Sequence, residues 1–233
     1  MLKNIHNGWT PFFEENKKEL EAIISKLDKI KDTKTIFPYQ DDIFRTLFYF
    51  PPEETKLVIL GQDPYISSEI INNTIIPQAT GLSFSVPNCH KKIPPSLKNI
   101  YKELKNCYPE IIIPNHGCLK NWVENEKIIL LNSSLTVEEG KSNSHMKLWE
   151  TFTDKLVKFI SDKSPNTIFL LMGAFAINKI ERTSILQNNI GVAIFTTVHP
   201  SPLSAHRGFF GSMIFKKIND YMISRNITPI KWI

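Results

Sequence analysis

Four short apolar runs in this chain are each followed at once by residues that could do chemistry. The run at 57–60 leads into Gly61-Gln62-Asp63-Pro64-Tyr65, and the run at 128–131 into Asn132-Ser133-Ser134. The run at 167–171 leads into Met172-Gly173, and the run at 192–197 into Val198-His199-Pro200-Ser201-Pro202-Leu203-Ser204. A carboxylate, a carboxamide and an imidazole are thus delivered from distant parts of the chain. Asp63 is held out of the helical region by Pro64. It either bonds its own backbone in an Asx-turn or faces a reacting centre as a carboxylate. Asn132 either makes a β-turn or reads the edge of a base, because an amide carries both a donor and an acceptor. Tyr65 is a core aromatic or the wall of a flat pocket. His199 is open to three readings: a turn histidine, a metal ligand or a catalytic imidazole.

Other chemistries lack their patterns. His116-Gly117-Cys118 and Cys89-His90 do not have the paired spacing of a zinc site. The His-x-Glu and Pro-Cys-x-x-Cys signature of zinc deaminases is absent. Ser201 and Ser204 do not lie in a Gly-x-Ser-x-Gly nucleophile elbow. Ser96, after Pro94-Pro95, opens a helical pattern, where capping is its ordinary duty and a phosphate its alternative. Rigid Pro/Ser turns offer hydroxyls and amides to a phosphate backbone with little charge. His206-Arg207-Gly208-Phe209-Phe210-Gly211 adds cationic and aromatic groups.

The elements that must position these residues are legible from periodicity. Continuous apolar runs of this length suit strands buried on both faces of a parallel sheet. Helical spacing occurs at 14–31 (Leu20, Ile23, Ile24, Leu27), at 96–107 (Leu97, Ile100, Tyr101, Leu104) and at 148–160 (Leu148, Trp149, Phe152, Leu156, Phe159, Ile160). It recurs in Phe210, Ile214, Ile218, Tyr221 and Met222, and 41–50 is a further short helical candidate. Strand–helix alternation predicts an α/β fold: a single domain with a four-stranded, mostly parallel, twisted sheet flanked by helices on both faces. In such sheets ligands bind outside the carboxyl ends of the strands. Asp63, Asn132 and His199 are therefore expected at one rim. No repeat or Gly/Ser-rich linker divides the chain, so 1–233 reads as one catalytic domain with an N-terminal helical segment, 1–36, packed on it.

Composition sets outer bounds. Of 233 residues, 42% are hydrophobic and 22% charged, which excludes a disordered chain. No apolar run approaches the roughly 20 residues of a membrane helix, so no membrane role is expected. Three cysteines (Cys89, Cys107, Cys118) exclude a disulfide scaffold. The start, Met1-Leu2-Lys3-Asn4-Ile5-His6, has no secretory or transit character. An intracellular site, cytoplasm or nucleus according to the host, is expected. Net charge is +5, a weak lean toward a polyanion that an ordinary Lys-rich surface explains equally well.

Read together, several strings resemble family 1 uracil-DNA glycosylases: Gly61-Gln62-Asp63-Pro64-Tyr65, Gly81-Leu82-Ser83-Phe84-Ser85-Val86, Pro94-Pro95-Ser96-Leu97, Leu130-Leu131-Asn132 and the segment from His199 to Gly211. Pro114-Asn115-His116-Gly117 and Trp149-Glu150-Thr151-Phe152-Thr153-Asp154 are similar to intervening segments of that family. The resemblance runs from about Phe37 to the C-terminus, in the family's order. It implies hydrolysis of the bond between uracil and deoxyribose, without metal or cofactor, by a monomer acting on single- or double-stranded uracil-containing DNA. An inhibitor protein of uracil glycosylases and replication proteins are the partners it suggests.

By that resemblance Asp63 and His199 are catalytic. Asp63 stabilises the sugar cation and positions water; His199 donates to the uracil oxygen. Gln62, Tyr65, Phe84 and Asn132 hold the base: Phe84 stacks on it, Tyr65 excludes a 5-methyl group and Asn132 reads its edge. Pro94, Pro95, Ser96, Ser201, Leu203, Ser204, His206 and Arg207 meet DNA, with Leu203 as the wedge that fills the vacated stack. Two positions depart from the family pattern. Ile66 stands where His usually follows Pro-Tyr, and 67–80 is longer and less Gly-rich than usual. Two other classes stay open at this point: a DNA-binding scaffold on the same fold, and a phosphate-binding hydrolase of another α/β type.

Overall fold

The computed structural model describes residues 2–183 and 191–233. Its centre is a four-stranded sheet in the order β5 (Ile128–Asn132), β2 (Leu57–Gly61), β7 (Ile168–Met172), β8 (Ala193–Thr197). All three pairings are parallel, so the strands share one carboxyl edge. Every residue of β2, β5 and β7 is buried. That is why these strands read as unbroken apolar runs rather than alternating ones. β8 lies at an edge and is only half-buried.

Helices form two packed groups around this sheet. α2 (Lys17–Asp28), α5 (Met146–Lys163) and α6 (Ala174–Thr183) pack in sequence. α3 (Pro95–Cys107) packs against the C-terminal helix, Ile214–Ser224, which also touches β8. The residues before α2 join the same core. Phe12 meets Phe152 with ring centroids 5.2 Å apart, and Phe13 meets Phe44 at 5.0 Å, both near edge-to-face. Such pairs add roughly 0.5–1.5 kcal/mol each beyond area burial. One apolar cluster runs from Trp9 to Trp232.

Several expectations are corrected by the structure. The pattern at 14–31 is two helices, α1 (Thr10–Glu15) and α2, and the second stops at Asp28. The break is at Asn16, whose side-chain amide donates to the Phe12 carbonyl at 2.9 Å and so competes with the helix ladder. The candidate at 41–50 is not an α-helix. It is two 3₁₀ turns, Gln40–Asp42 and Arg45–Leu47, separated by Phe44 at φ −105°, ψ 23°. This lets Ile43, Phe44, Leu47 and Phe50 all point inward. The last helix begins at Ile214, not at Phe210. Met213 precedes it in the left-handed region at φ 54°. Ser96 does not cap α3. Pro94 is the N-cap residue and Pro95 the first helical position, where its missing N–H costs nothing.

Two small ladders were not expected. β1 (Ile36–Phe37) pairs with β6 (Val137–Glu138). The segment 67–80 carries an antiparallel hairpin, β3 (Ser68–Ile71) with β4 (Thr74–Pro77). Its two-residue turn is Asn72-Asn73, at φ 51° and 60°. Asn tolerates this conformation, as a tight hairpin turn requires. An Asn-Asn pair between isoleucines was the signal that could have revealed it. No described helix is long and apolar enough to cross a membrane.

Candidate active site

The carboxyl edge of the sheet brings the sequence-derived residues to one slot. Gly61 ends β2 opposite Asn132, the last residue of β5. A Cβ on Gly61 would overlap the Asn132 Oδ1 and lie 2.9 Å from Ser83 Cβ. Glycine is therefore required for the carboxamide to lie across the strand end. At the end of β7, Gly173 sits at φ +89°, and a Cβ there would come 2.8 Å from His199 Cβ. Two glycines thus make room for two of the three polar groups.

The slot has a volume of about 260 Å³. Asp63, Tyr65, Phe84, Ser96, Asn132 and His199 line it, joined by Gln62, Ile66 and Ser142. Asn132 is 8% exposed. Phe84 is held at φ 64°, an uncommon conformation for an aromatic residue. Its ring centroid is 6.1 Å from that of His199. The Tyr65 hydroxyl donates to the Phe84 carbonyl at 3.2 Å, and burial pushes the phenol well above its ordinary pKa. Tyr65 and Phe84 are thereby locked to each other.

Asp63 is not in an Asx-turn. Its Oδ2 accepts from the Ser142 hydroxyl at 2.8 Å and from the Asn143 backbone N–H at 2.7 Å. The Gln62 side chain donates to Asn143 Oδ1 at 2.6 Å, so its amide is turned toward this loop. Ser142 and Asn143 were missed from the sequence. They lie in a polar stretch, Lys141-Ser142-Asn143-Ser144, with nothing to distinguish it from an ordinary loop. Behind it, Trp149 Nε1 donates to Thr136 Oγ1 at 2.7 Å, and Thr136 Oγ1 is 2.9 Å from His145 Nδ1. With Thr136 already accepting from Trp149, its own proton is free to go to His145. The contact between Thr136 and His145 thus anchors the end of the loop that holds Asp63, and burial lowers the His145 pKa.

His199 has a defined tautomer. The Ser201 backbone N–H donates to His199 Nδ1 at 3.0 Å. Nδ1 is then an acceptor, and the proton of the neutral ring is on Nε2. Burial pushes the His199 pKa below its ordinary value, which favours that neutral form. The Ser204 hydroxyl donates to the His199 carbonyl at 2.9 Å, and Leu203 N–H donates to Ser201 Oγ at 3.3 Å. Both serines thus brace the turn that carries His199. Between them Leu203 is 88% exposed, an isolated apolar tip beside the slot.

Pro95, His206 and Arg207 are exposed, whereas Pro94 is buried. Asn99 Nδ2 donates to the Pro200 carbonyl at 2.8 Å and ties α3 to the His199 turn. Among the described residues no group of three His, Cys, Asp or Glu side chains gathers where it could hold a metal ion.

The slot thus gathers two aromatic rings, a carboxylate held by two donors, a carboxamide and an imidazole at the carboxyl edge of a parallel sheet. Such a set of groups suits an N-glycosidase on a parallel α/β sheet. Comparison with known proteins agrees. The model of the uracil DNA glycosylase superfamily matches residues 47–223. The chain is 40% identical over 228 residues to a uracil-DNA glycosylase of Idiomarina loihiensis, covering 97% of this chain and 99% of that protein. It is 46% identical over 205 residues to one of Alkaliphilus oremlandii, covering 86% and 83%. The crystal structure of mimivirus uracil-DNA glycosylase superposes with a TM-score of 0.87 at 32% identity, over 98% of this chain and 87% of that one. A variant of the mimivirus enzyme solved in complex with UGI gives a TM-score of 0.88 at 32% identity, over 98% and 88%. The chain belongs to the uracil DNA glycosylase superfamily. Its activity is that of a DNA-repair hydrolase that releases uracil.

Proposed function

We propose that the slot receives a uracil extruded from DNA and that Asp63 and His199 carry the hydrolysis between them. The observation that supports this most is the Ser201–His199 hydrogen bond, because it leaves Nε2–H as the ring's only donor. Uracil leaves as an anion, with negative charge on the oxygen beside the cleaved nitrogen. A neutral imidazole donor aimed at that oxygen stabilises the leaving group without giving up its proton. The sugar develops positive charge at the same time. The Asp63 carboxylate, fixed by Ser142 and Asn143, stabilises that charge and orients the attacking water. The bond to uracil breaks, water adds to the sugar carbon and loses a proton, the uracil anion takes up a proton in balance, and an abasic site remains.

Recognition follows from the walls. Phe84 stacks on the base. Asn132 pairs with its edge, and cytosine presents the opposite donor and acceptor there. Tyr65, locked to the Phe84 carbonyl, stands where a thymine methyl would need space. Gln62 supports the base pocket through the loop it holds at Asn143. On the DNA side, Leu203 is the wedge that replaces the extruded base in the stack. Pro95, Ser96, Ser201, Ser204, His206 and Arg207 meet the phosphate backbone. Pro94, being buried, serves by shaping the loop.

The chain acts as a single domain and a monomer, with 1–36 packed on it through Trp9 and Phe12. Its three unpaired cysteines support an intracellular setting, cytoplasm or nucleus. The mimivirus complex with UGI supports an inhibitor protein of uracil glycosylases as a partner, and replication proteins are a further class of partner. The deciding experiment measures free uracil released from a uracil-containing oligonucleotide by the unchanged protein and by Asp63→Asn. Release by the first and its near loss in the second is the expected result. A scaffold would bind this DNA and release nothing, and a phosphoesterase would act on small esters instead.

A further inference from the structure

The exposed side of α3 carries Lys98, Lys102 and Lys105, and no acid offsets them. Other helices mix their charges. Lys17 meets Glu21 on α2 at 3.9 Å, Lys158 meets Asp162 on α5 at 2.7 Å, and Lys216 meets Asp220 on the C-terminal helix at 2.9 Å. The one acid of α3, Glu103, is fully buried and accepts from the backbone N–H groups of Gly211 and Met213, each at 2.8 Å. Its charge is consumed inside the protein. Lys98, Lys102 and Lys105 have no carboxylate partner among the described residues.

This face is continuous with the active site. Ser96, at the start of α3, lines the slot. Asn99 bonds the His199 turn. Lys102 Nζ rests 4.6 Å from the ring centroid of Phe210, beside exposed His206 and Arg207. A groove of about 510 Å³ runs along the three lysines, with Ile93, Tyr101 and Ile113 as its apolar wall. From Lys98 to Lys105 the helix rises roughly 10 Å, a span over which an extended DNA strand presents more than one phosphate.

Resting on the proposed reading of the site, we propose that this face of α3 binds the DNA strand flanking the uracil. Lys98, Lys102 and Lys105 contact successive phosphates outside the slot. The face supplies affinity and substrate-length dependence, not chemistry. A one-signed row of ammonium groups is complementary to a polyanion, and its contribution is counterion release.

The test uses the triple variant Lys98→Ala/Lys102→Ala/Lys105→Ala. A control, Lys18→Ala/Lys26→Ala/Lys29→Ala, removes the same charge from exposed positions of the α2 region. Uracil release is measured on a four-nucleotide and on a thirty-nucleotide single strand, and binding to uracil-free thirty-nucleotide DNA is followed against salt. The α3 variant is expected to lose about tenfold in kcat/KM on the long strand at low salt and less than twofold on the short one. Its log–log salt slope should be shallower by about 2, from ~0.7 per phosphate contact on single strands. The control should move neither the length dependence nor the slope by as much. Equal losses on both lengths, an unchanged slope, or a control that behaves identically would overturn the proposal. Failure of the unchanged protein to release uracil would instead overturn the reading of the slot, and the salt slope on uracil-free DNA would still judge this face.

Discussion

Gly61 and Asn132 face each other in register at the carboxyl ends of β2 and β5, and the Asn132 carboxamide occupies the volume that a side chain at Gly61 would need. The Asn132 carboxamide, proposed to read the base, is thus positioned by an absence on the neighbouring strand. Gly61→Ala must push Asn132 aside. We expect kcat/KM on uracil DNA to fall by about 10²-fold, the scale for a misplaced recognition group, with circular dichroism unchanged. Wild-type activity in the alanine variant would show that Asn132 does not need its present place.

Asp63 is held by two donors from a loop about 80 residues away. Removing the charge in Asp63→Asn should lower kcat by roughly 10²–10³-fold, as for other electrostatic groups at a reacting centre. Affinity for uncleaved DNA should change little. Ser142→Ala removes one of the two donors and should cost kcat roughly 10–10²-fold, the equivalent of the ~1.5–3 kcal/mol of hydrogen bonds to charged groups. Single-turnover kinetics with a binding isotherm separates the two effects. Parallel loss of binding and turnover would contradict the role of Ser142.

His199 and His145 both have pKa values lowered by burial from the ordinary 6.5. The unfolded chain therefore takes up these protons at higher pH than the folded one. Their contribution to stability is fully present above about pH 6.5 and is lost as pH falls toward the folded-state values. The urea midpoint should be flat from pH 8 to about 7 and then decline with acidification. Turnover should hold down to lower pH than an unperturbed histidine would allow, because the donor proposed for the reaction is the neutral Nε2–H form. A turnover maximum that requires protonated histidine would refute that form.

The roles proposed for Leu203 and Tyr65 predict different substrate effects. Leu203→Ala removes the exposed wedge, so turnover of duplex uracil DNA should fall about tenfold or more while single strands, which need no unstacking of a partner, lose less. Tyr65→Ala opens the wall beside the slot, and measurable release of thymine is expected where the unchanged protein gives none. Identical losses on both strand types, or continued rejection of thymine, would remove these assignments.

Much of this was legible in the chain itself. The apolar runs of β2, β5 and β7 announce a buried parallel sheet, because strands covered on both faces have no polar side to show; β8, half-buried at the edge, is apolar for most of its length as well. The rule that such sheets bind ligands at their carboxyl edge then places Asp63, Asn132 and His199 together. Where propensity was locally ambiguous, the reading failed. The segment at 41–50 has enough apolar residues for a helix, but burial of Ile43, Phe44, Leu47 and Phe50 is met by two 3₁₀ turns instead. The hairpin at 67–80 turns on two asparagines that a composition reading takes for loop.

What tertiary structure alone decided is the state of the groups. Residue type says that His199 is an imidazole; only the Ser201 N–H at Nδ1 says where its proton sits. Asp63 is recognisable as a carboxylate, but its donors come from Ser142 and Asn143, residues with no pattern of their own. The physical reason is range. Hydrophobic periodicity is a property of neighbours along the chain, so it survives in the sequence. A hydrogen bond across 80 positions depends on where two loops come to rest, and that is settled only when the core between them has packed.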